Sequence, residues 1–240
     1  MQQLAQMRSA AALLGVALVA PGLAEAQWVP EKTRIAEVPA PRGAFELGAS
    51  ASFTQPFGEM LAGKSIDSLV DFGGAVEVEL GYRWSPHVSV ETALLFHESS
   101  GADRLGVGNA FHGTTATVAL LYHFLPYDAI DPYASAGVGY RVLVAALRGA
   151  NNDQTYHGPQ ALRVLVGLGF RTSHEAELGP FLGADVNAFL WRADEATGEH
   201  ASIEGASANC FLYAGFGVRF EFGGERELHG RPVVLATARQ

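Results

Sequence analysis

The sequence predicts an all-β fold, an eight-stranded antiparallel up-and-down barrel that crosses a membrane. Three observations predict it. Eight segments of roughly ten residues alternate side-chain polarity with period two, the length a tilted membrane-crossing strand needs and about twice that of a strand in a soluble protein. The connectors between them alternate between short and long. The polar positions hold acids, arginines, glycines and serines but no lysine, which is unlike the surface of a soluble protein.

Composition agrees. The chain has 240 residues, 48% hydrophobic and 17% charged, with 28 glycines. It is poorer in charge than an average globular protein, at roughly 25%, and too apolar for a disordered one. A formal net charge of −9 excludes the basic footprint of a nucleic-acid binder. A single cysteine, Cys210, excludes an intramolecular disulfide and a cysteine-based zinc site. Nothing in the sequence asks for a cofactor.

In chain order, residues 1–26 read as a cleaved signal peptide. Arg8 is the only charge before an apolar run, and Ala24-Glu25-Ala26 fits the small-x-small cleavage rule. Residues 27–42, with Pro30, Pro39 and Pro41, read as an exposed linker. The barrel is expected over 43–222. Its first segment places Phe45, Leu47, Ala49, Ala51 and Phe53 on one face, and its second Val76, Val78, Leu80, Tyr82 and Trp84. The third has Val88, Val90, Thr92, Leu94 and Phe96, and the fourth Thr114, Ala116, Val118, Leu120, Tyr122 and Phe124. The fifth has Ala134, Ala136, Val138, Tyr140 and Val142, and the sixth Leu162, Val164, Val166, Leu168 and Phe170, with Ala161 on the opposite face. The seventh has Leu182, Ala184, Val186, Ala188 and Leu190, and the eighth Leu212, Ala214, Phe216, Val218, Phe220 and Phe222.

Short connectors fall at 85–87, 125–131 and 172–179, and long ones at 55–71, 98–110, 148–157 and 192–209. Short turns on one side and long loops on the other is the layout of an outer-membrane barrel, with the turns and both termini in the periplasm. Aromatic residues gather near the short turns (Phe45, Trp84, Tyr122, Phe124, Tyr133, Phe170, Phe181, Phe222) and, less densely, near the other boundary (Phe53, Phe96, Phe189, Trp191). Tyr133, Phe181, Phe189 and Trp191 have the parity of the polar face.

Alternation alone does not say which face is inside; a soluble lipocalin-like barrel would put its apolar face inward. The polar face decides. It carries Glu46, Glu77, Glu79, Glu91, Asp185 and Glu221 against Arg83, Arg141, Arg163, Arg171 and Arg219. Nearly balanced charge with small residues between suits a narrow lumen, because buried charges need partners and the arginine fork pairs with carboxylates two bonds at a time. Eight strands leave room only for side chains, so this network is expected to plug the barrel.

The stretch Tyr122-His123-Phe124 through Pro132-Tyr133-Ala134-Ser135-Ala136-Gly137-Val138-Gly139-Tyr140 resembles the central hairpin of the small eight-stranded OmpA/OmpX-like outer-membrane barrels. Gly217-Val218-Arg219-Phe220-Glu221-Phe222 is similar to the last-strand assembly signal of that family, with Gly217, Phe220 and Phe222 as its marks. The resemblance implies integral placement in the bacterial outer membrane, lipid as surroundings and the barrel-assembly machinery as a transient partner. Two departures stand out. Residues 223–240 follow the signal, and they are too few to fold the peptidoglycan-binding domain of OmpA-type proteins. They are expected to be a disordered periplasmic tail or an interaction peptide.

Catalytic candidates are few. His97-Glu98-Ser99-Ser100 and His112 near the long-loop boundary offer a nucleophile, a base and an acid of the kind a lipid A-modifying barrel needs. His97 and His123 read better as hydrogen-bonding groups of the lumen, and Cys210 as a small lipid-facing residue. Gly137-x-Gly139 and Gly167-x-Gly169 lack the strand–helix setting of a nucleotide motif. Asn151-Asn152-Asp153 and Asp194-Glu195 read as solvated loop rather than cation ligands. The expected function is therefore a non-enzymatic outer-membrane protein, structural or surface-interacting, that meets an extracellular ligand through four loops. A narrow pore or transport component is the alternative, and a lipid A-modifying enzyme a more distant one.

Overall fold

The computed structural model describes residues 38–61, 63–68, 70–101, 110–146, 153–194, 197–228 and 231–233. The expected signal peptide, most of the linker and parts of all four long loops, with Asn151, Asn152 and Glu195 among them, lie outside them. Eight long strands form a closed antiparallel barrel: β2 (Ala44–Leu61), β4 (Val70–Ser85), β5 (Val88–Gly101), β6 (Ala110–His123), β7 (Ile130–Ala146), β8 (Gln154–Arg171), β9 (Ala176–Ala188) and β12 (Ala208–Phe222). Each pairs with its sequence neighbour, and β12 closes the ring on β2 from Phe45↔Phe222 to Gly58↔Asn209. Closure leaves no ladder edge in the lipid region, which the bilayer demands.

Burial alternates along every strand as the period-two pattern requires. Phe45, Val78, Leu80, Val118, Val138 and Phe216 are more than half exposed on the outer face, whereas Glu46, Glu77 and Arg83 are buried on the inner one. A soluble barrel would show the inverse, so the apolar face is the lipid face. Tyr122 and Phe124, Phe45 and Tyr82, and Phe220 and Phe222 pack ring against ring in an outer girdle at the short-turn end. Phe181 and Phe189 are buried inside, as their parity dictates.

Trp191 departs from its parity. The ladder breaks at Phe189-Leu190 and restarts as β10 (Trp191–Asp194), still paired with β8 but one residue out of the β9 register, so the indole points outward and stacks on His157 at 5.5 Å. Ala161 also corrects the alternation. It is the extra residue of a bulge in β8: Gln160 pairs with Asn187 and Leu162 with Val186. Ala161 and Leu162 therefore both face out, and Gln160 turns inward.

The strands exceed the expected ten residues. At about 3.3 Å per residue and a tilt near 40°, the 18 residues of β2 rise roughly 45 Å, against an apolar band of about 25 Å. The short-turn girdle sits on the terminal residues of the strands (Phe45 at the start of β2, Phe222 at the end of β12), so the excess length stands at the long-loop end. The expected loop 55–71 is largely strand, with β3 (Lys64–Ser65) and a 3-10 turn (Ile66–Ser68) folding back inward. The expected loop 192–209 carries a hairpin of β10 with β11 (Glu199–Ser202).

The described residues after the barrel are paired strand where a disordered end was expected. Glu225–Leu228 form β13 and Arg231–Val233 form β14; together with β1 (Ala40–Arg42), part of the expected linker, they make a three-stranded sheet at the short-turn end. Local parity could not show this, because the pairing joins residues at opposite ends of the chain.

Candidate functional site

The eleven charged residues named above turn inward, buried or nearly so, and stack in layers along the axis. Nearest the short turns, the Arg83 guanidinium donates to Glu221 at 2.7 Å and to the Pro86 carbonyl at 3.0 Å, with Glu46 at 3.5 Å and Asp131 at 3.8 Å. Glu221 also meets Arg171 at 3.5 Å and Arg226 at 2.7 Å. His123 bonds Asp131 through Nδ1 at 2.7 Å, so its role is hydrogen bonding in the lumen.

The next layer is centred on Arg219. Its guanidinium reaches Glu79 and Glu177, each at 3.2 Å, and Glu91 at 3.5 Å, with the Tyr133 ring 5.3 Å from its carbon. A cavity of about 30 Å³ lies beside it, walled by Glu79, Glu91, Glu177 and Tyr133 among others. That is room for about one or two waters, not for a channel. Above it, Arg163 forks onto Glu77 with bonds of 2.5 and 2.8 Å. Higher still, Arg141 donates to Asp185 at 2.8 Å, to Thr115 at 2.8 Å and to the Tyr213 hydroxyl, while Phe211 lies under the guanidinium at 4.1 Å. Asp185 takes further bonds from Gln160 at 2.9 Å, Asn187 at 2.7 Å and Tyr213 at 2.5 Å.

The long-loop end of the lumen is sealed differently. Met60, Ile66, Val70, Leu95, Phe111, Leu143, Phe189 and Phe211 form a buried apolar cluster across it. Composition does not announce this plug: Met60, Ile66 and Val70 come from the expected first loop, which folds back into the barrel mouth.

Several lumen residues were missed by reading strands too short. Glu177 and Asp131 sit in the expected turns, yet each continues the inward parity of the strand beside it, Glu177 with Asp185 and Asp131 with Ser135. Gln160 is placed by the bulge, which has no local signal. Arg226 comes from the tail.

The catalytic candidates separate by parity. His97 and Ser99 do meet, Nε2 to Oγ at 2.5 Å, but both are buried in the lumen with Phe211 edge-on to the imidazole. Glu98 and His112 are register partners on the opposite, outer face of β5 and β6. One strand cannot present consecutive residues to one site, so the four do not converge. Among the described residues no cluster of His, Cys, Asp and Glu is arranged to hold a metal ion.

A closed barrel with a lipid-facing apolar girdle and a charge-paired interior defines an integral outer-membrane protein. The chain belongs to the family described as outer membrane protein beta-barrel domain, whose model matches residues 10–229. Among solved structures it is similar to Neisserial surface protein A (16% identity, 75% of this chain and 100% of that one, TM-score 0.52). It is also similar to the outer membrane protein OprG from Pseudomonas aeruginosa (13% identity, 77% and 98%, TM-score 0.50). At such identities the likeness is one of fold. No curated protein matches the chain.

Proposed function

We propose that this outer-membrane barrel is a non-enzymatic surface protein: a rigid, sealed scaffold that displays its long-loop rim to the outside, with the short turns in the periplasm. The observation that carries the reading is that the lumen is filled along its length while the long-loop end stands well beyond the membrane. Filling argues against transport through the middle. The split of His97 and Ser99 from Glu98 and His112 argues against a hydrolytic site. What remains presented is the rim, where β2, β8 and the β10–β11 hairpin project strand edges and polar side chains toward an extracellular ligand. The resemblance to the OmpA/OmpX-like barrels and the marks Gly217, Phe220 and Phe222 support insertion by the barrel-assembly machinery.

The test is display. An epitope inserted between Thr197 and Gly198, in the β10–β11 turn, is expected to be labelled by antibody on intact cells. Labelling only after permeabilisation would overturn the orientation. Lipid A mass spectra of strains with and without the gene are expected to be identical; a change in acylation would instead establish the enzyme reading.

A further inference from the structure

Seven of the eight strand interfaces in the barrel join strands adjacent in sequence. The eighth, β2 with β12, has no connecting turn, because its strands lie at opposite ends of the barrel sequence. A turn keeps paired strands at high local concentration, so this seam is the interface most costly to close and the first expected to fray.

The small sheet lies at the end of that seam and continues its pairing. The ladder runs to Phe45↔Phe222, both chains then kink, and pairing resumes at Arg42↔Glu225, Pro41↔Arg226 and Ala40↔Glu227. The kink is built from Gly43, Gly223 and Gly224, all with φ between 66° and 71°. A Cβ on Gly224 would come within 2.4 Å of the Arg42 carbonyl oxygen, so only glycine lets the two chains turn together. The pair is pinned on three sides. Arg226, largely buried, reaches into the barrel mouth to Glu221 at 2.7 Å. Arg42 donates to Glu227 at 3.0 Å. The Val38 amide donates to the Tyr127 carbonyl on the opposite short turn at 2.9 Å. β14 covers the other edge of β13.

We propose that β1 and β13 form a clasp that takes the place of the missing turn and holds the seam shut at the short-turn end. The tail is thus part of the barrel's closure, and a sequence that continues past the assembly signal has a structural use. Without the clasp the ring still closes through the β2–β12 ladder, but its short-turn end opens more often.

Hydrogen exchange on the refolded full-length protein in detergent micelles tests this. In Gly224→Val, and in a chain ended at Gly224, the amides of Leu47 and Phe220 at the seam are expected to exchange at least about tenfold faster, while those of Val90 and Leu120 in the β5–β6 interface keep their rates. Unchanged exchange at the seam would overturn the proposal, and so would equal acceleration in every strand, which marks general destabilisation. Should either variant fail to fold, a Cys210→Ala chain carrying Arg42→Cys and Glu225→Cys decides. Oxidation is expected to slow exchange at the seam alone, and equal rates in the oxidised and reduced forms would overturn the clasp.

Discussion

At the scale of the residue, the lumen obeys one rule: each arginine has a carboxylate within reach, and the carboxylates are shared. Arg163 and Glu77 are the cleanest pair, two parallel bonds with both side chains buried. Arg163→Ala leaves the buried Glu77 carboxyl without its two-bond partner, and is expected to destabilise the barrel by about 3–5 kcal/mol. Replacing both by apolar residues of similar volume is expected to cost far less, since a buried pair gains little over good apolar packing. Urea unfolding of the refolded variants measures both. Gln160→Ala removes a donor to Asp185 and the acceptor of the Thr117 hydroxyl, and is expected to cost about 1–3 kcal/mol in the same assay. Which residues would be charged and inward was legible in the sequence, because Glu46, Arg83, Arg141 and Arg219 keep strict parity with apolar neighbours. Which partner each would take was not, because partners such as Arg83 and Glu221 lie on non-adjacent strands and their meeting depends on the stagger of the closed barrel.

At the scale of the element, alternation locates all eight strands but not their ends or their slips. The turn residues Asp131 and Glu177 look polar and terminal, whereas the ladder runs through them until the chain must reverse. The bulge at Ala161 has no decisive local mark, since a small alanine suits either face and the alternation from Leu162 onward is unbroken. Deleting Ala161 removes the extra residue and leaves Gln160, Leu162 and Arg163 in regular alternation, so Gln160 is expected to stay in the lumen and the ladder above the bulge to keep its pairing. The prediction is that the folded, fast-migrating band persists in unboiled gels; its loss would contradict the assignment of Ala161 as the bulge's extra residue. On the outer face, Val118 is more than half exposed in the middle of β6. Val118→Arg is expected to cost about 2–4 kcal/mol in bilayers. A change near zero in bilayers would place that face against water.

At the scale of the whole molecule, two different plugs fill one tube. Ion pairs occupy the short-turn and middle layers, where they cross-brace strands far apart in sequence. An apolar cluster built partly from an infolded rim closes the long-loop end. The first was legible in the sequence as a balanced, lysine-free polar face. The second was not, because Met60, Ile66 and Val70 sit in a stretch whose period-two pattern is broken by a hairpin and a 3-10 turn. The same holds for the small sheet at the short-turn end, which joins residues almost two hundred positions apart. The consequence is a barrel whose inside gives stiffness, which leaves the outer rim as the surface for the recognition proposed above.

Single-channel recording of the refolded protein in planar lipid bilayers tests the sealed scaffold most directly. The account predicts insertion without a stable conductance, and a baseline like that of protein-free membranes. Long-lived openings of uniform, large amplitude would contradict it and make the molecule a pore.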